Sequence, residues 1–258
     1  MAAPALAQAP AADPRERVAS AEIASGQELI YRGRFGAAGL FFSRLSERYP
    51  KEPVGPALAA SALIWEGEAL ENEELQADSV DALLAEAAAR AERGVAEAST
   101  DSARVAQLFW LGTALGYRAR QAELRGHYWR ASRDAKAMRS ALERALALDS
   151  TCVDCLLGLA VYDYGLARVG ALARLVARII GLGGGDAERA LERLRRVSRE
   201  GTVTRLEARW LYANALLRES RSDAALREEA RRMVGDLAAQ FPENPVFRRF
   251  LDSTDRAP

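Results

Sequence analysis

His127 is the only imidazole in 258 residues. A multi-histidine zinc centre or an H-E-x-x-H metalloprotease needs more than one, so both are excluded and no metal site is expected. The chain contains no G-x-S-x-G elbow to partner His127 in a triad, and within Arg125-Gly126-His127-Tyr128-Trp129 it reads as an ordinary residue between two helices. Neither lysine, Lys51 or Lys136, follows a glycine, so the phosphate loop G-x-x-x-x-G-K-[ST] is missing. No cofactor is implied, and the chain is expected not to be an enzyme.

Three further groups of residues could do chemistry. Cys152 and Cys155 form a C-x-x-C; two thiols cannot complete a four-ligand zinc site, and no βαβ pattern surrounds them. They fall at a helix start, where Thr151-x-x-Asp154 resembles a capping box and the free amides would lower a thiol pKa. A disulfide spanning one turn is feasible, because Cα atoms three residues apart on a helix lie about 5 Å from each other. A local staple or two packed thiols is favoured over redox catalysis. The run Gly181-Leu182-Gly183-Gly184-Gly185-Asp186 misses the dinucleotide fingerprint, because Asp186 stands at the last glycine and the Arg-studded helical stretch 166–180 precedes it. It reads as a connector into a helix capped by Asp186. Tyr162-Asp163-Tyr164 places an acid between two phenols, a tuned acid or a hydrogen-bond hub.

Composition limits the classes further. Hydrophobic residues at 49% and charged residues at 28% describe a soluble globular chain. The longest uncharged runs in the body, Pro53 to Trp65 and Val105 to Tyr117, have 13 residues each, short of the roughly 18 that span a bilayer. Attachment of the apolar stretch Leu166 to Leu182 to a membrane surface is a lesser alternative, its Arg168, Arg174 and Arg178 fitting a partly buried connector better. Net charge is zero, against a nucleic-acid binder that works by a strong positive field. Glu66 to Glu92 nevertheless holds nine acidic residues and one basic, and Arg118 to Arg144 eight basic and three acidic. Two solvated faces that attract each other, or a bipolar surface that orients a charged partner, would both account for this.

Residues 1–13 read as a disordered tail or the remnant of an export signal. Ala5-Leu6-Ala7 before Gln8 has the small residues that signal peptidase selects, while the basic and long apolar regions of a leader are missing. A periplasmic or secreted location is expected, with a cytoplasmic one as the alternative.

Strand alternation is almost absent, whereas apolar residues recur at helical spacing, as in Leu206, Trp210, Ala213 and Leu217. Breaks fall at Gly33, Pro50 to Pro56, Thr100 to Asp101, Gly126, Asp149 to Thr151, Gly183 to Gly185, Gly201 and Pro242 to Pro245, and Thr204-x-x-Glu207 reads as a capping box. The expectation is an all-α chain whose residues 14–258 form one domain of about five helix pairs, its 53 alanines letting helices approach closely.

Gly26, followed 12 residues later by Ala38, then Phe42, Leu45 and Pro50, resembles the small, alanine, aromatic, apolar and proline positions of a tetratricopeptide repeat. Fainter copies occur at Leu111-Gly112-Thr113-Ala114-Leu115, at Ala145 to Ser150, at Leu159-Ala160 and at Glu207-Ala208, and the last ends in Phe241-Pro242-Glu243-Asn244-Pro245. Most units run to about 45 or 50 residues instead of 34, so longer helices or inserted loops interrupt a regular superhelix. The second half looks like a divergent group of bacterial tetratricopeptide-repeat proteins. The resemblance implies an α–α superhelix whose first helices line a concave face, placing Gln27, Tyr31, Trp65, Phe109, Thr113, Tyr117, Tyr164, Trp210 and Asn214 there. It implies a non-enzymatic scaffold that binds a peptide or partner protein in that groove. The alternative is a small-ligand-binding or enzymatic helical protein with a pocket around Tyr162-Asp163-Tyr164.

Overall fold

The computed structural model describes residues 18–170, 181–220 and 223–255. Among them are eleven helices and no strand: α1 (Ser20–Tyr31), α2 (Phe35–Arg48), α3 (Val54–Ala69), α4 (Ala77–Glu97), α5 (Asp101–Leu124), α6 (Tyr128–Leu148), α7 (Cys155–Arg168), α8 (Ala187–Glu200), α9 (Arg205–Glu219), α10 (Ala224–Gln240) and α11 (Pro245–Asp255). Each helix packs on the next in sequence. No described helix is long and apolar enough to cross a membrane. The tail and most of the stretch 166–182 lie outside the described residues.

Small residues set the spacing between neighbours. A Cβ on Gly26 would lie 2.3 Å from Cζ of Phe42, which is wholly buried, so α1 and α2 meet where the repeat resemblance puts its small and aromatic residues. Leu142 of α6 fits in the same manner between Gly112 of α5 and Gly158 of α7, each with 2.5 Å from the missing Cβ to a Leu142 methyl. In α3, Ala57, Ala59, Ala60 and Ala62 are all buried.

Most breaks fall where glycine, proline and Asp/Thr pairs stand, but two do not. The α3–α4 turn contains neither residue type, and Glu71 and Gln76 take left-handed backbone (φ 52° and 53°). The α9–α10 break ends at Asp223, whose carboxylate accepts from the Ala225 and Leu226 amides. Both expected capping boxes are replaced. Thr204 makes no side-chain cap on α9; its hydroxyl and amide, with those of Thr202, donate to Asp154 at 2.6–3.2 Å. The Thr151 amide and hydroxyl in turn donate to Asp149. Burial pushes the Asp154 carboxyl up, and the four donors outweigh it, leaving the pKa below the usual value.

The last helix returns to the first ones. Asn244 donates to the Tyr31 carbonyl at 3.0 Å, the Arg249 guanidinium to the Ala69 carbonyl at the same distance, and Arg249 pairs with Glu71. The acidic and basic blocks also meet: Arg120 lies 3.6 Å from Glu68 and 3.7 Å from Glu73, and Asp81 is clamped by Arg125 at 2.7 Å and Arg130 at 3.4 Å. The zero net charge therefore conceals two blocks that neutralise each other across consecutive helix pairs.

Candidate functional site

Of the nine residues expected on the concave face, Tyr31, Trp65 and Trp210 pack together, and Trp65 and Trp210 also meet α11. Tyr31, Trp65 and Phe109 are core residues, 4, 6 and 7% exposed. Trp65 packs edge-on to Tyr31 with centroids 5.5 Å apart and also meets Trp210 and Phe247; Trp210 in turn lies against Phe247 and Phe250 of α11. Phe109 packs on Trp110. The C-terminal helix thus covers Trp65 and Trp210, two of these nine residues. The half-buried polar members are engaged as well: Gln27 donates to the Val203 carbonyl, Thr113 to that of Phe109 and Asn214 to that of Trp210.

At the centre of this face Tyr117 of α5 donates to Glu207 of α9 at 2.6 Å, with the Ser61 hydroxyl 3.5 Å from the same phenol. Burial pushes the Glu207 carboxyl above its usual range against the opposing pull of the Tyr117 hydrogen bond and of Arg120. Tyr31 and Tyr117 are raised too, first by burial and then by the neighbouring Glu207. Glu207 is therefore a joint between α5 and α9, and its position as the third residue of a helix gave only a cap signal.

Cys152 and Cys155 are joined, with Cα atoms 5.4 Å apart. Cys155 is wholly buried at the first turn of α7, so the bridge staples the entry to that helix.

The Tyr162-Asp163-Tyr164 triplet separates, because adjacent helix residues point about 100° apart. Tyr162 donates to the Leu182 carbonyl at 2.6 Å, anchoring the glycine-rich connector. Tyr164 donates to Glu219 at 2.8 Å, and Arg168 pairs with the same carboxylate. Asp163 faces neither phenol. Its Oδ2 accepts from Nη1 of Arg193 at 2.6 Å and from Nε of Arg189 at 3.2 Å, both on α8. These arginines stand four residues apart on one helix face, whose orientation is set by burial of Ala190, Leu194 and Val197 and by the Asp186 cap on the Arg189 amide. Gly185 is required nearby: a Cβ there would fall 2.2 Å from the Ala167 amide nitrogen and 2.3 Å from the Asp163 carbonyl. Arg139 of α6 completes the group, its Nε donating to Glu143 at 2.7 Å and its guanidinium lying 5.5 Å from the Tyr162 ring centre. Together with Leu159 these side chains line a cavity of about 210 Å³. Asp163 was legible as a candidate; the arginines around it were not, because they come from two other helices.

Among the described residues, the surface has one aromatic tip. At the α5–α6 turn Trp129 is 77% exposed and Tyr128 69%, with Leu124 beside them, although Trp65, Trp110 and Trp210 are buried or half-buried. His127 is exposed at the same turn. No protein-family model matches this chain, and no curated protein shows significant similarity to it.

Proposed function

We propose that the chain is a non-enzymatic scaffold of tetratricopeptide-like helical repeats, exported to the periplasm or secreted, that docks another protein through the α5–α6 tip. Exposure of Trp129 and Tyr128 carries the reading: large aromatics held in water on a helical turn are the residue types that dominate protein interfaces. Arg130 and Arg133 follow them on α6 but pair with Asp81 and Asp134, so the tip offers aromatic surface and suits a partner with an apolar pocket. The tip is preferred to the groove because Phe247 and Phe250 of α11 pack on Trp65 and Trp210, two of the groove's expected aromatics. Close packing of Gly26 on Phe42 supports the repeat resemblance.

The test compares cross-linked partners captured from envelope extract by the wild type, by Trp129→Asp/Tyr128→Asp, and by Tyr117→Ala/Tyr164→Ala/Trp210→Ala. A partner lost only with the tip pair is expected, with an affinity drop of about 30-fold or more for an anchoring pair. Equal capture by the tip variant and the wild type would remove the tip from consideration.

A second reading has its own observation. The cavity enclosing Asp163 with three arginines supports small-ligand binding between α6, α7 and α8.

A further inference from the structure

We infer that the cavity between α6, α7 and α8 binds a small soluble oxyanion, a carboxylate or a phosphate, held by Arg139 and Arg193; this rests on the small-ligand reading just given. The lining is almost wholly polar, and its ionisable groups are three guanidiniums, Arg139, Arg189 and Arg193, against two carboxylates, Asp163 and Glu143. Among these lining groups one positive charge is left over; Asp186, just outside the lining, lies 3.9 Å from Arg189 and offsets that arginine, which leaves Arg139 and Arg193 as the cations that face the cavity. The donors are also in excess: Arg189 and Arg193 converge on the same oxygen of Asp163, and the Arg193 side chain makes no other hydrogen bond to protein among the described residues. A guanidinium offers five N–H groups in a planar fork that matches carboxylate and phosphate oxygens. Arg139 spends its Nε on Glu143 and lays its cationic face near Tyr162, which fixes the plane of its fork.

The site is held firmly for a surface cavity. Asp163 is buried, its side chain 9% exposed, and it positions two arginines that would otherwise repel each other. Leu182, itself buried, ties the connector to Tyr162 beside the cavity. At about 210 Å³ the space holds several waters, each claiming about 30 Å³ in the liquid, and so admits a phosphate or a short dicarboxylate. An apolar ligand would find almost no apolar surface there, and a cation would face three arginines.

The full-length protein is titrated in chloride-matched buffer with inorganic phosphate, malonate, glucose and putrescine, and binding is read by amide chemical shifts and calorimetry. Saturable binding of phosphate or malonate is expected, with shifts clustered on α6, α7 and α8. Loss of one charge-assisted hydrogen bond in Arg193→Gln or Arg139→Gln is expected to weaken it about tenfold or more. Arg196→Gln, on the same helix and engaged with Glu200, leaves it unchanged. Should Arg193→Gln fail to fold, Arg139→Gln decides, because Arg139 lies at the cavity mouth and is 42% exposed. Equal affinity in the wild type, Arg139→Gln and Arg196→Gln overturns the assignment. If glucose or putrescine binds here and the anions do not, the oxyanion inference fails while the ligand reading stands. If none of the four binds, both fail.

Discussion

Glu207 shows how burial and hydrogen bonding compete at one side chain. Its carboxyl pKa is raised, mainly because the charged form is stripped of water, although Tyr117 donates to it. Between the unfolded value of about 4.3 and the raised folded value, folding takes up a proton, so stability falls as pH rises through that window. Glu207→Gln keeps an acceptor for Tyr117 and abolishes the charge. Its melting temperature relative to the wild type is expected to increase as pH is raised through the same window, a difference that paired thermal melts at several pH values would measure. Glu207→Ala leaves the Tyr117 phenol without its acceptor and is expected to cost about 1–3 kcal/mol. Asp154 has the opposite sign. Its depressed pKa adds stability above the unfolded value, and that stability is lost as pH falls through the folded one. Neither role was legible from local spacing. Thr204-x-x-Glu207 and Thr151-x-x-Asp154 both carry the letters of a cap, but Thr204 instead donates to Asp154, 50 residues away, and Glu207 accepts from Tyr117, 90 residues away.

Among the helices, local sequence spoke more clearly. Gly33 and Gly126, both at φ 73°, end their helices where glycine's freedom to adopt positive φ is needed. The α3–α4 turn stayed hidden because Glu71 and Gln76 take the same backbone region without being glycine. Gly26 gives a sharp test of helix pairing. Alanine there would gain a few tenths to about 1 kcal/mol of helix propensity, but its methyl would sit 2.3 Å from a wholly buried ring. Overpacking costs about 1–3 kcal/mol and wins, because Phe42 is enclosed and cannot swing away. Gly26→Ala is thus expected to lower the melting temperature by several degrees, on the scale of about 2–4 °C per kcal/mol for a chain of this size. Gly36, with nothing within 4 Å of a Cβ, serves as the tolerant control.

Over the whole molecule, the return of α11 to α1 and α3 changes what a stack of helices implies. In an open array each unit touches only its neighbours, and stability is lost piecemeal from the ends. Here Phe247, wholly buried, joins Trp65, Trp210 and Phe241 in one aromatic cluster. Phe247→Ala is expected to cost about 3–5 kcal/mol and to weaken amide-exchange protection in α1 and α3 as well as in α11. Protection lost in α11 alone would show that the two ends are uncoupled. Of the aromatic residues that repeat spacing assigned to an inner face, Tyr31, Trp65 and Trp210 pack together, but spacing could not reveal that α11 packs on two of them.

The hydrogen bond from Asn244 to Tyr31 spans 213 residues. Bringing such distant segments together carries a loop-closure cost that nearby helix hairpins avoid, and contacts of long sequence separation slow the search for the native state. Docking of α11 is therefore expected to be a late event of folding, and the fluorescence of Trp65 and Trp210, whose rings it packs against, is the signal that would follow it.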